Sequence, residues 1–244
     1  GDALTIAGRM TFRRVFGKFM FVQISDVYAK IQVSLSVNQI ALDDYKWFKD
    51  YVDIGDFVGF SGTIYHTQTG ELTVQAESFK LLSKAMKPLP EKFHGLTDIE
   101  TRYRQRYLDL ITNEQARKVF LGRSKIESII RRYLEDLDFI EIETPVLQTA
   151  VSGASARPFF THHNALDLDC NLRIAKETWL KQAIAGGIPR VFELGKDFRN
   201  EGMDATHLQE FTQIEWYASY WDFEKNIKVF KELVQKLLKE TLGT

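Results

Sequence analysis

Between Arg190 and Tyr217 the sequence RVFELGKDFRNEGMDATHLQEFTQIEWY sets an Arg, a Glu, a His, a Phe and a second Glu around one short polar loop. The residues are Arg199, Glu201, His207, Phe211 and Glu215. A guanidinium takes two phosphate or carboxylate oxygens at once, an aromatic ring stacks on a base, and a carboxylate pairs with an ammonium group. Together they can grip a nucleotide and an amino acid. The flanks read as strands, with Val191, Phe192, Leu194 and Phe198 leading in and Phe211, Ile214, Trp216 and Tyr217 leading out. Asn200, Gly202 and Asp204 suit a turn, so the segment predicts an antiparallel hairpin with a long loop. A period of two puts Arg199, Phe211, Gln213, Glu215 and Tyr217 on one face and sends Ile214 and Trp216 into a core. Charges on a sheet face need partners if they are buried, and a ligand is one such partner. A solvated salt bridge accounts for the same spacing equally well.

The elements that must position this hairpin belong to a 244-residue chain with 44% hydrophobic and 27% charged residues, an ordinary composition for one or two globular domains. A formal net charge of −1 gives no global basic field, so nucleic-acid binding would have to come from local patches. Cys170 is the single cysteine, which excludes an internal disulfide and a cysteine-rich metal site and points to a reducing compartment. It reads as a small buried hydrophobe. No apolar run has membrane-spanning length and the first residues do not resemble a signal peptide, so a cytoplasmic protein is expected.

From Leu4 to Leu82 five short alternating runs, LTIAGRMTFRRVF, FMFVQISD, KIQVSLSV, DFVGFSGTIYHT and ELTVQAESFKLL, predict strands, with a helix over Ala41–Tyr51 between the third and fourth. That is the plan of an OB-fold, whose faces often bind single strands. Arg9, Arg13, Arg14, Lys18, Phe19 and Phe21 put cations and aromatics near its first strands, although half of these aromatics suit a barrel core equally. Pro88 and Pro90 then mark an extended linker, and Thr97 or Asp98 caps a helix rich in Arg and Tyr. Val119, Ile126, Ile129, Ile130, Tyr133, Leu134 and Leu137 repeat at helical spacing, and the run IEIETPVLQ that follows predicts a strand interrupted by Pro145. A last amphipathic helix stops at Gly243. His162 and His163 are adjacent on a strand and face opposite ways with no third ligand spaced to join them, so they read as structural.

Quoted in full, the blocks AGRM, GKFMFVQISD, KIQV, TGEL, KPLPEKFHGLTDIETRYRQRYLDL, ARPFFTHHNALD, LRIAKETWLK and FRNEG resemble the class II lysyl-tRNA synthetases along almost the whole chain. The resemblance implies an α+β protein: an anticodon-binding OB-fold over residues 1–84, a linker and connecting helix over 85–110, and a class II antiparallel-sheet catalytic domain over 111–244. RKVFLGRSKIESIIRRYLEDLDFIEIETP is similar to motif 1, which implies a homodimer, and FRNEGMDATHLQEF is similar to motif 2. The implied reaction joins lysine to its tRNA with ATP and magnesium. Arg199 would be the catalytic cation on the α-phosphate and the lysine carboxylate. Glu201, His207 and Phe211 would bind the rest of ATP. Glu177, Glu215, Tyr217 and the backbone of Gly153 would hold lysine, and Arg9, Phe21 and Gln32 the anticodon. On the residues alone, Phe21 as barrel core and Gln32 as a solvated strand residue are the alternatives.

The sequence departs from the family pattern at several places. Thr206 precedes His207, and Leu208 and Gln209 follow it, where the family usually has an Arg before and an Asn-Pro pair after. Lys176 and Thr178 stand where Pro and Leu are usual, and Ser152–Gly153 replaces a glycine pair. The third motif and the family's magnesium ligands would fall beyond Thr244, so a fragment with little aminoacylation activity of its own is expected, with no metal site in the chain. A sister ligase for aspartate or asparagine, or a paralogue with a role outside translation, shares much of this pattern.

Overall fold

The computed structural model describes residues 3–90, 96–204 and 206–243; residues 91–95, in the expected linker, lie outside the described residues. The chain divides into two compact units between Ala116 and Arg117.

In the first unit, β1 (Ala3–Phe16), β2 (Phe19–Ser25), β3 (Lys30–Ser36), β4 (Phe57–His66) and β5 (Leu72–Ser83) close a barrel in the order β1-β2-β3-β5-β4. Helix α1 (Leu42–Tyr51) lies between β3 and β4, which makes this an OB-fold. Alternation fills the barrel: Met20, Val22 and Ile24 of β2, Val33 and Leu35 of β3, and Val58 and Phe60 of β4 are buried together with Tyr45 and Phe48 of α1. Phe19 and Phe21 are therefore out of phase with the core, and the barrel-core alternative for Phe21 fails. At Gly62 a Cβ would stand 1.9 Å from Gln75 O, so the close crossing of β4 over β5 requires glycine.

One irregularity re-aims a strand. Met10 pairs with Ile24, but Phe12 pairs with Gln23, so Thr11 is an extra residue in β1. Beyond it the phase of β1 reverses: Phe12, Arg14 and Phe16 share the outer face with their partners Gln23, Phe21 and Phe19. Arg13 takes the opposite phase and donates to Lys49 O at 2.9 Å and Val52 O at 2.7 Å, capping the C-terminal carbonyls of α1.

The Arg- and Tyr-rich helix expected after Asp98 is two helices, α2 (Ile99–Arg104) and α3 (Arg106–Thr112). Asp98 caps the first through Thr101 N at 2.7 Å, and Gln105 leaves helical geometry at φ −115°. The buried Asp109 carboxylate ties the pair together, accepting from Arg102 at 2.9 Å and Arg106 at 2.7 Å. Those bonds hold its pKa below the ordinary carboxylate value against the opposing effect of desolvation.

The second unit includes most of α4 (Glu114–Glu135) and holds two three-stranded sheets. One has the order β11-β10-β6, from β6 (Ile140–Glu141), β10 (Arg190–Phe198) and β11 (Glu210–Ala218); the other has the order β7-β9-β8, from β7 (Leu147–Gln148), β8 (Phe160–His163) and β9 (Leu168–Leu172). IEIETPVLQ is thus not one strand but two short ones in different sheets, with β6 parallel to β10. Pro145 cannot donate to a ladder, and the N–H of Thr144 goes to the Glu193 side chain instead. Ile130 and Leu134 of α4, Phe139, Phe192 of β10 and Leu233 of α6 (Phe223–Leu242) form the core, with Ile214 and Trp216 of β11 packed against it. One face of the β10–β11 hairpin is thereby spent on packing. Helix α6 is capped by Asp222 on Lys225 N and ends at Gly243, whose φ of 77° suits glycine. Helix α5 (Glu177–Ala185) runs beside the hairpin.

Candidate active site and nucleic-acid face

On the hairpin, antiparallel register sets the other face without a break. Val191, Glu193, Gly195 and Asp197 pair with Tyr217, Glu215, Gln213 and Phe211. Directly opposed residues point the same way, so Glu193, Asp197, Phe211, Gln213, Glu215 and Tyr217 share this face. Arg199 follows the last pair in phase, and its N–H bonds Gln209 O at 2.8 Å. Its guanidinium lies 5.1 Å from the centre of the Phe211 ring and its Nε reaches Ile174 O at 3.5 Å. The groups expected at the α-phosphate and the base are therefore neighbours.

Beneath them lies a set of buried charges. Arg173 Nη1 stands 2.7 Å from Glu193 Oε1 and Arg173 Nε 3.2 Å from Asp197 Oδ1, while Lys176 Nζ stands 2.5 Å from Asp197 Oδ2. All four side chains are at most 6% exposed. Thr144 Oγ1 donates to Glu193 Oε2 at 2.6 Å, and its carbonyl accepts from Arg173 at 2.9 Å. Burying four charges is tolerable because two cations cancel two anions and Thr144 and the Lys196 carbonyl add hydrogen bonds to the set. The packing is close enough that a Cβ on Gly195 would meet Arg173 Nη2 at 2.7 Å. Gly195 is what lets the guanidinium lie against the strand.

Glu215 is treated differently. Among the described residues it forms no ion pair; Lys176 N donates to its Oε1 at 3.5 Å and the Tyr217 hydroxyl to its Oε2 at 3.4 Å. Burial pushes the Glu215 carboxyl pKa above its ordinary value, against the lowering effect of the Lys176 N–H. Burial also raises the Tyr217 hydroxyl, with Glu215 and Glu177 adding to the shift, so the phenol stays a neutral donor. Glu177, at the start of α5, pairs with Lys181 at 2.5 Å in a part-exposed bridge, and Lys181 Nζ lies 5.8 Å from the centre of the Tyr217 ring. Gly153, at φ 85°, packs so closely that a Cβ there would come within 3.1 Å of Ala175 Cβ and 3.2 Å of Glu177 Cβ. Gly153, Glu177, Glu215 and Tyr217 are therefore drawn into one neighbourhood.

Across the turn of the hairpin, whose Ala205 lies outside the described residues, Asp204 is the organiser. Its Oδ1 accepts from Thr206 N at 2.7 Å, Thr206 Oγ1 at 2.9 Å and His207 N at 2.9 Å, and its Oδ2 lies 2.8 Å from His207 Nδ1. The bonds from Thr206 hold the Asp204 carboxyl far below the usual range. Thr206, which departs from the family pattern, thus serves the loop itself. Glu201 accepts from Arg157 N at 3.3 Å, and Gln209 Nε2 donates to Glu201 O at 3.0 Å.

Sequence reasoning reached Phe211, Glu215 and Tyr217 by alternation along β11 and Arg199 by its place at the end of the first hairpin strand. It missed Glu193, Gly195 and Asp197, which the same alternation along β10 would have placed on the face. Arg173, Lys176 and Thr144 carry no periodic signal, because they come from irregular segments. His162, expected to be structural, lies between Asp169 Oδ1 at 2.9 Å and Asp167 Oδ1 at 3.3 Å. Among the described residues no group of three or more His, Cys, Asp or Glu could hold a metal ion.

On the barrel, Phe21 and Gln32 line one groove of about 560 Å³ with Phe12, Arg14, Phe16, Tyr65 and the Thr67–Thr69 turn. Arg14 lies over the Phe16 ring at 4.8 Å. Gln32 Nε2 donates to Thr73 Oγ1 at 2.9 Å. Arg9 is not brought to this groove: it donates to Gly55 O at 2.8 Å and lies 4.3 Å over the Phe57 ring. Arg14 occupies the register position opposite Phe21 that unbroken alternation assigns to Arg13.

Comparison with known proteins agrees with both regions. A family profile described as OB-fold nucleic acid binding domain matches residues 4–82, and one described as tRNA synthetases class II (D, K and N) matches residues 98–244. A lysine–tRNA ligase of Aquifex aeolicus is 51% identical over 241 residues, which are 99% of this chain and 40% of the relative. Those of Clostridium novyi and Streptococcus suis are 48% and 50% identical over 100% of this chain and 48% and 49% of their own lengths. The chain spans less than half the length of these curated relatives. With an OB-fold followed by a match over residues 98–244, the chain belongs to the class II tRNA synthetases of the D, K and N group.

Proposed function

We propose that this protein activates lysine with ATP to lysyl-adenylate and transfers the lysyl group to its tRNA. The observation that carries the reading is the charge balance of the hairpin face. Arg173 and Lys176 cancel Glu193 and Asp197, and Lys181 cancels Glu177, so among the described residues Glu215 is left half-buried with hydrogen-bond donors but no ion-pair partner. An ammonium group fills that vacancy. A neutral or anionic amino acid would leave the carboxylate unpaired, which is a strong basis for discrimination.

The remaining roles follow from position. Glu177 exchanges its part-exposed bridge to Lys181 for a second hold on the substrate, since such bridges are weak. Gly153 brings backbone close to the bound amino acid. Arg199 spans an α-phosphate oxygen and the lysine carboxylate as the carboxylate oxygen attacks phosphorus and pyrophosphate leaves, its charge stabilising the crowded anions. Phe211 stacks on adenine, Glu201 meets the base edge and His207 lies toward the outer phosphates. A ribose hydroxyl of the tRNA then attacks the acyl carbon and AMP departs. Magnesium accompanies ATP, but the described residues include no ligand set for it, and no step here runs through it.

Residues 1–84 read the anticodon, with Phe21 stacking on a base and Gln32 reading an edge; residues 85–110 connect; residues 111–244 hold the chemistry. The exposed apolar side chains Val119 and Leu121 of α4 support a homodimer through the motif 1 helix and the strand after it. Among the described residues no helix is long and apolar enough to cross a membrane, and the proposed setting is the cytoplasm. Titration calorimetry with lysine, aspartate and asparagine tests the reading. Saturable binding of lysine that Glu215→Gln weakens about a hundredfold is expected, and preferential binding of aspartate or asparagine would overturn it.

A further inference from the structure

A strap from Gly153 to Arg157 joins the amino-acid end of the hairpin face to its nucleotide end. At one end Gly153 abuts Ala175 and Glu177. At the other, Arg157 meets the hairpin loop through two backbone bonds: Asn200 N donates to Arg157 O at 2.8 Å, and Arg157 N donates to Glu201 Oε1 at 3.3 Å. Among the described residues Glu201 Oε2 accepts no hydrogen bond. Glu201 therefore holds the strap with one oxygen and keeps the other for a donor.

Resting on the assignment of this loop to ATP, we propose that Glu201 is a positioning residue for the amino-acid subsite as well as a contact for the base. One carboxylate oxygen takes the Arg157 N–H while the other takes the exocyclic amine of adenine. A carboxylate accepts at both oxygens without conflict. Glu201 is exposed, so its side chain loses freedom when it holds the strap alone. Once adenine fixes the side chain, the strap is held at no further entropic cost, and Gly153 is set against Glu177. Nucleotide and amino acid then reinforce one another, and the reinforcement is reciprocal.

Calorimetry on the purified protein tests this, with lysine titrated alone and in the presence of saturating non-hydrolysable ATP or inosine triphosphate analogues. The ATP analogue is expected to tighten lysine about fivefold, the lower end of the usual range for coupled sites. The inosine analogue should give no gain, because its 6-oxo group is an acceptor. Arg157→Pro removes the strap's N–H and fits the extended backbone that already precedes Pro158, so it should abolish the coupling while leaving adenine-nucleotide affinity in place. Glu201→Gln presents an acceptor to Arg157 and a donor to the base, and should move the coupling from the ATP to the inosine analogue. Unchanged coupling in Arg157→Pro, or equal coupling by both nucleotides, overturns the proposal. Binding of both ligands without coupling defeats the strap mechanism alone, whereas binding of neither defeats the reading of the site and the mechanism with it.

Discussion

The hairpin face and the barrel face are both built from sheet, yet the recognition proposed for them works by opposite means. On the hairpin, charges are buried in compensating pairs, and the proposed specificity falls to Glu215, which forms no ion pair among the described residues. On the barrel, Phe12, Phe16, Phe21 and Arg14 line an open groove over a predominantly apolar interior, and the cation rests on an aromatic ring. A buried site gains strength from low dielectric and is fixed by its scaffold; an open one gains from stacking area and tolerates substitution. Stability and recognition should therefore be inseparable on the hairpin and separable on the barrel.

The largest effect should come from Arg173→Ala, which leaves Glu193 without its cation and Asp197 with Lys176 alone. Removing one partner of a buried pair costs about 3–5 kcal/mol. Denaturant unfolding should show that loss together with loss of lysine binding. A cost below about 1 kcal/mol would mean that the cluster is solvated and would end the contrast. Gly195→Ala should act in the same direction, through the forced contact with Arg173 Nη2.

Next is Glu215→Gln, expected to weaken lysine about a hundredfold, in keeping with about 2–5 kcal/mol for truncating a buried charge partner. Its pH dependence has a definite sign. Burial raises the folded-state pKa of Glu215 above its ordinary 4.5, so the proton is held more tightly in the folded protein. Its contribution to stability is fully present below the unfolded pKa and is lost as pH rises through the folded one. Lysine needs the ionised form, so affinity should climb over that same window and level off above it. Calorimetry across pH 4 to 8 checks the slope, and the Gln variant should lack it.

The two regions also differ in what their sequences disclose. Along β10 and β11 no bulge intervenes, so a period of two carries Phe211, Glu215 and Tyr217 onto one face as written. In β1 the extra residue Thr11 reverses the phase, and alternation read from Arg9 assigns Arg13 outward when it is Arg14 that stands opposite Phe21. A bulge has no composition of its own to announce it. The Arg173–Glu193–Asp197–Lys176 cluster was hidden for another reason: its cations lie 17 to 24 residues from its anions on irregular chain, where only the fold supplies proximity. Pro145 did signal a break in IEIETPVLQ, but not that the two halves would join different sheets.

On the barrel, neighbouring substitutions should part ways. Met20→Ala opens a cavity in the core and should cost about 2–5 kcal/mol of stability. Phe21→Ala should leave stability almost unchanged and weaken RNA by about 1–3 kcal/mol, the worth of one stacked base. Arg14→Ala should flatten the salt dependence of RNA binding by about one unit of slope. Fluorescence anisotropy with a tRNA anticodon stem-loop, alongside thermal melts, separates the two readouts. An equal loss of stability in both variants would place Phe21 with the core after all.

The smallest effect belongs to the loop between the hairpin strands, which shares features of both regions: charged like the hairpin face, exposed like the barrel groove. Asp204 collects the N–H groups of Thr206 and His207 and sits beside the His207 ring. Asp204→Ala frees that ring but touches neither the buried cluster nor Glu215. Affinity for an ATP analogue should fall about two- to threefold, in keeping with the modest worth of exposed contacts, with lysine affinity and melting temperature unmoved. Because its donors hold the Asp204 carboxyl far below the usual range, the contribution is present at all pH above that of the unfolded carboxylate and is lost only as pH falls through the depressed folded value. The difference between wild type and Asp204→Ala should therefore stay constant from pH 6 to 8. A difference that grows on acidification within that window would mean that the effect does not come from the bonds that Asp204 accepts.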